Sequence, residues 1–395
     1  MTAATPATSP APWRDRRFAM LASLVALWWG FDWASDGIFL SPRNLVNLAV
    51  QTSAVGVMAM GMVFVIASRH IDLSVGSIVG FVGMTIGALQ LGSWGGDPLP
   101  WPLALLLGIG LAGAIGAWHG WWVAHLGLPA FVVTLAGLLV FRGAAWLVSD
   151  GQTLAPLPEP YTRIGGGLHG VLPLGVSFFV AAVAGAVWVA VRSTRRRRTL
   201  ALGEAALPLA WEVGIAIAGC GALLGFVALA GAVPVRGDAV AGVPYPVLLL
   251  GAVGVALHVL AVHTRFGRHL FAMGGQPRAA ELAGIDVRGV TLRAFILMGV
   301  LAGLAAVLTT ARLGAATNSM GTLSELAVIA AAVLGGTSLA GGTGSVAGAV
   351  LGALWMQSLD NGLLLLDVTS ALRQVVIGLT LLLAVALDVR WRGTA

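Results

Sequence analysis

Long apolar runs separated by short polar stretches extend along almost the whole chain. Because about 20 apolar residues are enough to cross a bilayer as an α-helix, each run is interpreted as one span. The twelve predicted spans are 18–38, 44–68, 72–92, 101–124, 129–149, 173–192, 208–231, 244–263, 291–312, 322–340, 343–366 and 370–388. Glycines and small polar residues blur the boundaries of the third and tenth spans. The pattern predicts an all-α polytopic membrane protein with about 10–12 transmembrane helices.

The polar ends of the chain are short, which predicts a single transmembrane domain over residues 18–388 between two tails. Residues 1–17 and 389–395 form the tails. The apolar run that begins at Phe18 is too long for the core of a signal peptide, and no small-residue cleavage pattern follows it. We therefore expect this run to be the first transmembrane helix.

The placement of arginine predicts the orientation in the membrane. All 22 basic residues are arginine. Sixteen fall in the segments on the same side as the N-terminus, five fall on the opposite side, and Arg142 falls inside a span. Since cytoplasmic loops are enriched in basic residues, both termini are predicted to be cytoplasmic.

The composition excludes several classes of protein. A chain that is 58% hydrophobic and 10% charged cannot be a soluble domain. Its net charge of +6 comes from arginines gathered in membrane loops, which argues against nucleic-acid binding. The single cysteine, Cys220, rules out an intrachain disulfide or a cysteine metal cluster. The scattered histidines lack the spacing of a metal site, so no cofactor or metal is predicted.

The chain lacks the residues that an ATP site of its own would need. A phosphate-binding Walker loop requires lysine, and there is none. The glycine-rich stretch 335–352 is instead interpreted as close helix packing and a tight re-entry. No nucleophile motif or acid–base pair is evident, so the chain is not predicted to be an enzyme.

A basic loop, residues 264–290, interrupts the apolar pattern between two long runs. The stretch from Thr264 to Arg293 holds five arginines, and the residues from Pro277 to Ala283 favour a short helix. Such a loop on the cytoplasmic face can present a helix to a soluble partner.

Polar groups at the start of the third span are candidates for function because charge at membrane depth is costly. Asp72, with Ser74 and Ser77, can cap the helix by accepting backbone N–H bonds. The alternative is that these residues line a solute path. Four glycines in this span, Gly76, Gly80, Gly83 and Gly87, have a spacing that favours close packing, with helix bending beside a pathway as the alternative.

Other charged or polar residues inside the predicted spans are also candidates. Arg142 needs a carboxylate, a carbonyl or water as its partner, with Asp150 and Asp72 as candidate carboxylates. Glu325 lies where a helix N-terminus would favour a carboxylate. Asp360 and Asn361 come late in the eleventh span and could line the outer end of a cavity. For each residue a purely structural role stays open.

Six ordered stretches resemble the sugar-transporting permease subunits of bacterial ABC importers, the ribose/xylose/galactoside group. They are IDLSVGS (71–77), LPAFVVTLAGLLVFRG (128–143), RFGRHLFAMGGQPRAAELAGIDV (265–287), the stretch 321–354, NGLLLL (361–366) and the closing run 375–388. The chain departs from the family pattern at Arg69-His70, where paired glycines are usual, at Gln276, where asparagine is usual, and at Ala327, where aspartate is common. An extra hydrophobic pair near residues 193–245 is similar to the xylose-type permeases, which implies D-xylose as substrate, with ribose and galactose as alternatives.

The resemblance implies a homodimer, or occasionally a heterodimer, in the bacterial inner membrane that forms the path for a monosaccharide. Separate ATPase subunits would bind ATP and Mg, and a periplasmic sugar-binding protein would deliver the sugar. The implied ATPase-coupling residues are Gly274, Gly275, Gln276, Pro277, Ala279, Ala280, Glu281 and Gly284. The candidate path residues are Asp72, Ser74, Ser77, Thr134, Arg142, Glu325, Asp360 and Asn361.

Two other classes of function are compatible with twelve spans. An ion-coupled secondary sugar transporter would be expected to show inverted repeats and a buried titratable group near mid-membrane. The two halves of this chain show no evident similarity, which disfavours that class. A scaffold without transport activity would not need charge inside the membrane.

Overall fold

The described part of the chain is almost entirely helical. The computed structural model describes residues 16–167, 170–203, 206–233 and 242–392. The α-helices in these ranges are α1 (Arg16–Ala34), α2 (Pro42–Ala67), α3 (Val75–Leu91), α4 (Trp101–Ala124), α5 (Ala130–Leu147), α6 (Glu159–Thr162), α7 (Leu174–Ala201), α8 (Leu209–Gly231), α9 (Tyr245–His263), α10 (Arg265–Gly275), α11 (Pro277–Leu282), α12 (Val287–Leu313), α13 (Ser324–Leu334), α14 (Val346–Leu365) and α15 (Ser370–Arg392). Of the predicted tails, residues 1–15 and 393–395 lie outside the described ranges.

The described residues fall into two compact units. One comprises the residues up to Ser23 together with Val171–Val243, and the other comprises Leu24–Gly170 with the residues from Pro244 onward. The first unit is built on the pair α7 and α8. Arg192 on α7 donates to the Glu212 carboxylate on α8 at 2.5 Å, and Trp188 packs against the same arginine.

The second unit is organised around two helices that are buried along most of their length. These are α2 and α12, whereas the long helices α4, α5 and α9 keep most of their apolar surface on the outside. An outer surface of leucine, valine and phenylalanine is expected where helices face lipid. Within the described ranges, seven helices are long and apolar enough to cross a membrane.

The tenth predicted span, 322–340, is wrong as a continuous helix. Its only helix is α13, which has 11 residues and rises about 16 Å, half of the roughly 30 Å hydrocarbon core. Residues 335–345, called here the glycine loop, then leave helical geometry. Residues 335–340, GGTSLA, carry no charge, so the predicted span continues through them and hydropathy alone does not reveal the break.

The glycine loop and the helices beside it confirm the packing interpretation of this stretch. A Cβ atom at Gly335 would collide with the backbone of Gly348, and one at Gly352 would collide with the Ala331 carbonyl oxygen. The absence of side chains therefore lets α13 and α14 approach to backbone contact.

The interface between α4 and α12 is also built on small residues. Gly116 lies against the carbonyl of Phe295, and Gly299 lies against Gly116 and the Ala112 carbonyl. Further along, Gly303 lies against Ile109. The order of these contacts shows that the two helices run antiparallel.

We expect Gly116→Ala to destabilise the protein, because its new methyl group would overlap the Phe295 carbonyl oxygen. Overpacking of this kind costs about 1–3 kcal/mol. The matched control is Gly110→Ala on the same helix, where a Cβ atom has nothing within 4 Å. Thermal unfolding of the detergent-purified variants measures the difference; equal midpoints for both would contradict the close contact.

Candidate functional site

The turn between α2 and α3 places a buried carboxylate at the start of α3. Asp72, which is 2% exposed, accepts hydrogen bonds from the backbone N–H of Ser74 at 2.8 Å and from the Ser74 hydroxyl at 2.5 Å. Ser77 donates its hydroxyl to the Ser74 carbonyl at 2.7 Å. The predicted capping role holds for Asp72, which binds the amide of the N-cap residue. Ser77 instead binds a carbonyl.

A histidine from α4 joins this turn. The Nδ1 atom of His119 lies 3.4 Å from the Ser74 hydroxyl, and its Nε2 atom faces Gly137 on α5. Thr134, also on α5, is buried and donates to the carbonyl of Ala130 at 2.9 Å. We call Asp72, Ser74, His119 and Thr134 the Asp72 cluster.

His119 was not predicted as a site residue. It is fully buried, and among the described atoms its Nε2 has no hydrogen-bond partner. The sequence offered one indication of this site: a histidine inside a long apolar run is rare, as a charged residue is. Its neighbours in space come from distant parts of the chain, so the sequence spacing did not reveal the cluster.

Residues 314–323 form a re-entrant segment that runs back along α3 without helical structure. Ala316 packs against Gly87, Met320 against Gly83, and Gly321 against Gly76. The contacts follow α3 from its end towards its start over 11 residues, which is about 16 Å along the helix axis. Close packing at the α3 glycines is therefore confirmed, with a non-helical backbone that contains successive turns as the partner.

Backbone groups in the re-entrant segment must be paired, because lipid offers no hydrogen-bond partners. Leu154 in the loop after α5 exchanges two backbone hydrogen bonds with Ala316, each 2.9 Å long. Arg142 on α5 donates from Nη1 to the carbonyls of Asn318 at 3.0 Å and Met320 at 2.9 Å. These contacts pair backbone groups of the segment at residues 316, 318 and 320.

The partner of Arg142 corrects one expectation. The candidate carboxylates Asp150 and Asp72 do not pair with it, and the carbonyl alternative is right. The cause is the re-entrant segment, since a helix in its place would have used those carbonyls internally. Glu325 contributes a longer-range electrostatic attraction to the same arginine.

Glu325 lies in the first turn of α13, so its predicted place at a helix N-terminus is confirmed. The side chain is 6% exposed, and Oε2 faces Gly76 without a hydrogen-bond partner among the described atoms. It also interacts electrostatically with Asp72. The N-terminal ends of α3 and α13 thus bring the carboxylates of Asp72 and Glu325 into one region with Arg142.

One side of the re-entrant segment is open. Ser319 and Thr322 are exposed, and Thr317 is half-buried with its hydroxyl 3.3 Å from that of Ser319. Small hydroxyl side chains at this position, beside α3, can exchange hydrogen bonds with a polar solute or with water.

Asp360 and Asn361 lie elsewhere. Asn361 accepts a hydrogen bond from the Asn44 side-chain amide at 3.0 Å, and Asp360 accepts one from Arg373 at 3.1 Å. Since α2 and α14 are antiparallel, this group lies at the start of α2, whereas the Asp72 cluster follows its end. The structure does not bring these two residues to the cluster.

The basic loop contains the predicted short helix as α11 and a second helix, α10, that the sequence analysis did not predict. Ala280 is buried and holds α11 against the protein, whereas Glu281 is exposed and Leu282 is 90% exposed. The other implied coupling residues divide as follows: Gly274 is buried, Pro277 is half-buried, and Gly275, Gln276, Ala279 and Gly284 are exposed. The loop presents an uncovered face with an apolar tip.

Comparison with known proteins gives a consistent result. Residues 44–385 match the protein family described as "Branched-chain amino acid transport system / permease component". The chain is 42% identical to the xylose transport system permease protein XylH of Escherichia coli (strain K12), an alignment that covers 94% of this chain and 91% of the relative. The corresponding Haemophilus influenzae protein is 41% identical, with 94% and 95% covered. The ribose import permease protein RbsC of Escherichia coli (strain K12) is 33% identical, with 89% and 87% covered. No solved structure matches the chain.

We expect Arg142→Met to lower stability, because the Asn318 and Met320 carbonyls would lose their donor inside the protein. Each unpaired buried group costs about 1–3 kcal/mol. Arg163→Met is the control, since Arg163 pairs with Glu159 on an exposed surface, where an ion pair contributes about 0–1 kcal/mol. Thermal unfolding in detergent compares the two; an unchanged Arg142→Met midpoint would show that the arginine does not hold the re-entrant segment.

Proposed function

We propose that this chain, which belongs to the family of branched-chain amino acid transport system permease components, carries D-xylose. It is the permease of an ABC sugar importer and a multi-pass protein of the bacterial inner membrane. The observation behind the choice of sugar is the difference in identity: 42% and 41% to two xylose permeases, against 33% to a ribose permease and 32% to a D-allose permease.

The energy for transport would come from other subunits. ATPase subunits that bind ATP and Mg would dock on the basic loop with both chain termini on the same cytoplasmic face, and a periplasmic sugar-binding protein would deliver xylose from outside. The uncovered face of α11 supports the first contact, because a short exposed helix in a basic loop can be bound by a soluble partner. A homodimer of this chain would complete the membrane part of the importer.

The sugar path would follow the open side of the re-entrant segment. Xylose is neutral and carries hydroxyl groups, which the hydroxyls of Thr317, Ser319 and Thr322 can match as donors and acceptors. The buried charges of Asp72, Glu325 and Arg142 would hold the segment and the two helix starts in position. Weak binding suits such a path, because a sugar that binds tightly inside the membrane would be released slowly.

Alternating access would depend on the partner's nucleotide state. A ligand shifts a conformational equilibrium only by its differential affinity for the two states. The ATPase would therefore have to bind α11 differently in the inward-open and outward-open forms. The re-entrant segment is the element whose movement would open or close the path.

Uptake of labelled xylose tests the proposal directly. Vesicles containing this chain, its ATPase and its sugar-binding protein should accumulate xylose when ATP is present, and should accumulate ribose and galactose less. Omission of any one component should abolish uptake. Uptake by the chain alone, driven by an ion gradient, would instead support a secondary transporter, and faster uptake of ribose would change the assigned sugar.

The proposed sugar path predicts that a bulky side chain at position 319 reduces transport. We expect Ser319→Phe to reduce xylose uptake to near background, because the ring would fill the open side of the segment, while ATP hydrolysis continues. Ser93→Phe is the control, since Ser93 is equally exposed but lies in the turn after α3. Normal uptake by Ser319→Phe, at equal amounts of membrane protein, would place the path elsewhere.

A further inference from the structure

The end of α10 has carbonyl groups that its own helix cannot pair. The last carbonyls of any helix lack an intrahelical donor, and the last turn of α10 contains no basic residue. Arg69, from the turn between α2 and α3, supplies the missing donors. Its Nε donates to the Gly274 carbonyl at 2.6 Å and its Nη2 to the Gly275 carbonyl at 2.7 Å.

The guanidinium suits this position for two reasons. Its donors are held in a rigid planar fork, which can bind two neighbouring carbonyl oxygens at once. Its positive charge also lies at the negative end of the α10 dipole. A lysine could offer only a single point charge on a flexible chain.

The backbone of Arg69 is unusual for a residue with a side chain. Its φ of 68° is in the left-handed region, which favours glycine. Arg69 is nevertheless fixed there, since its N–H donates to the Ile66 carbonyl at 2.9 Å. The guanidinium reaches α10 from this conformation.

The glycine loop meets the same point. The N–H of Gly342 donates to the Ala67 carbonyl at 2.9 Å, and Gly341 lies against the side chain of Arg69. Gly274 is so close to the Ala67 carbonyl that a Cβ atom there would overlap it. Three segments therefore converge at Arg69: the α2–α3 turn, the basic loop and the glycine loop before α14.

The Asp72 cluster begins only three residues after Arg69. Between them, His70 packs against Phe295 on α12, with ring centroids 5.9 Å apart. Asp72 is held in turn to Ser74, the N-cap residue of α3. The connection from the basic loop to the start of α3 is short and fixed by contacts at each step.

We propose that Arg69 is a positioning residue that couples the basic loop to the Asp72 cluster. A displacement of α11 and α10 by the ATPase is passed through the two carbonyl hydrogen bonds to the α2–α3 turn, and so to the start of α3 and the re-entrant segment packed on it. This inference rests on the proposed function, because it assigns the basic loop to the ATPase.

Arg69→Gly is the main test, because glycine accepts the left-handed backbone without strain and removes both donors. Arg69→Lys keeps the charge but not the planar fork. Arg43→Gly is the matched control: it removes one exposed arginine at the opposite end of α2. Each variant is reconstituted with the ATPase and the sugar-binding protein, and xylose uptake and ATP hydrolysis are measured on the same vesicles.

We expect Arg69→Gly to assemble normally and to hydrolyse ATP at close to the wild-type rate, with xylose transported per ATP reduced roughly fivefold or more, the lower range of couplings between sites. Arg69→Lys should be intermediate and Arg43→Gly unchanged. A proportional fall in assembly, hydrolysis and uptake would show that Arg69 only stabilises the fold and would overturn the proposal. An unchanged ratio of transport to hydrolysis would overturn it as well.

A second measurement separates this proposal from the choice of sugar and partner. In the permease alone, embedded in lipid nanodiscs, hydrogen–deuterium exchange at α10, α11 and the glycine loop should be faster in Arg69→Gly than in the wild type, with α4 and α12 unaffected. If the wild type fails to transport xylose but exchange changes in this way, the assigned sugar fails and the connection stands. Unchanged exchange would remove the connection whatever the transport result.

Discussion

The membrane requires every buried backbone N–H and carbonyl to find a partner within the protein. Most of the chain meets this requirement by forming helices. Among the described stretches that do not are the turn between α2 and α3 and the re-entrant segment between α12 and α13. Asp72, Arg142 and Glu325 gather at these two places, because the missing helical hydrogen bonds must be replaced there by side chains or by another stretch of backbone.

Each replacement also fixes a position. Asp72 binds the backbone at the start of α3, Arg142 binds two carbonyls of the re-entrant segment, and Leu154 pairs with Ala316 near the start of that segment. The glycines of α3 permit the segment to lie directly on that helix. A permease needs a polar route through an apolar layer, and in the proposed path the same broken helices that create the hydrogen-bonding problem would provide that route.

Much of the architecture was predictable from the sequence, because apolar run length determines where a helix can cross. Within the described ranges a helix was found in each of the twelve predicted spans, although seven helices are long and apolar enough to cross a membrane, and α11 was found within the basic loop. The half-length of α13 was not predictable, since no charged residue follows Glu325 before residue 340 and the glycines and small polar residues only blur the boundary. Hydropathy measures affinity for lipid and is insensitive to whether a stretch crosses the membrane or turns back inside it.

The site was predictable by residue type but not by partner. Asp72, Arg142 and Glu325 stood out because charge in an apolar run is costly, and the structure brings all three to one region. The partners of Arg142 and Arg69 are backbone carbonyls, which every residue possesses, so no sequence pattern identifies them. His119 joins the Asp72 cluster from another helix, and that proximity is a property of the fold.

The glycine-lined face of α3 limits which residues can change to alter the sugar preference of this protein. At Gly76 and Gly87 there is no room for even a methyl group, so this helix cannot acquire a side chain that distinguishes one sugar from another on that face. Thr317, Ser319 and Thr322 lie on the opposite side of the same contact, where side chains can be exchanged without disturbing the packing. Sequence differences among related permeases would then accumulate in the re-entrant segment, residues 314–323, while the residues of α3 that pack against it stay unchanged.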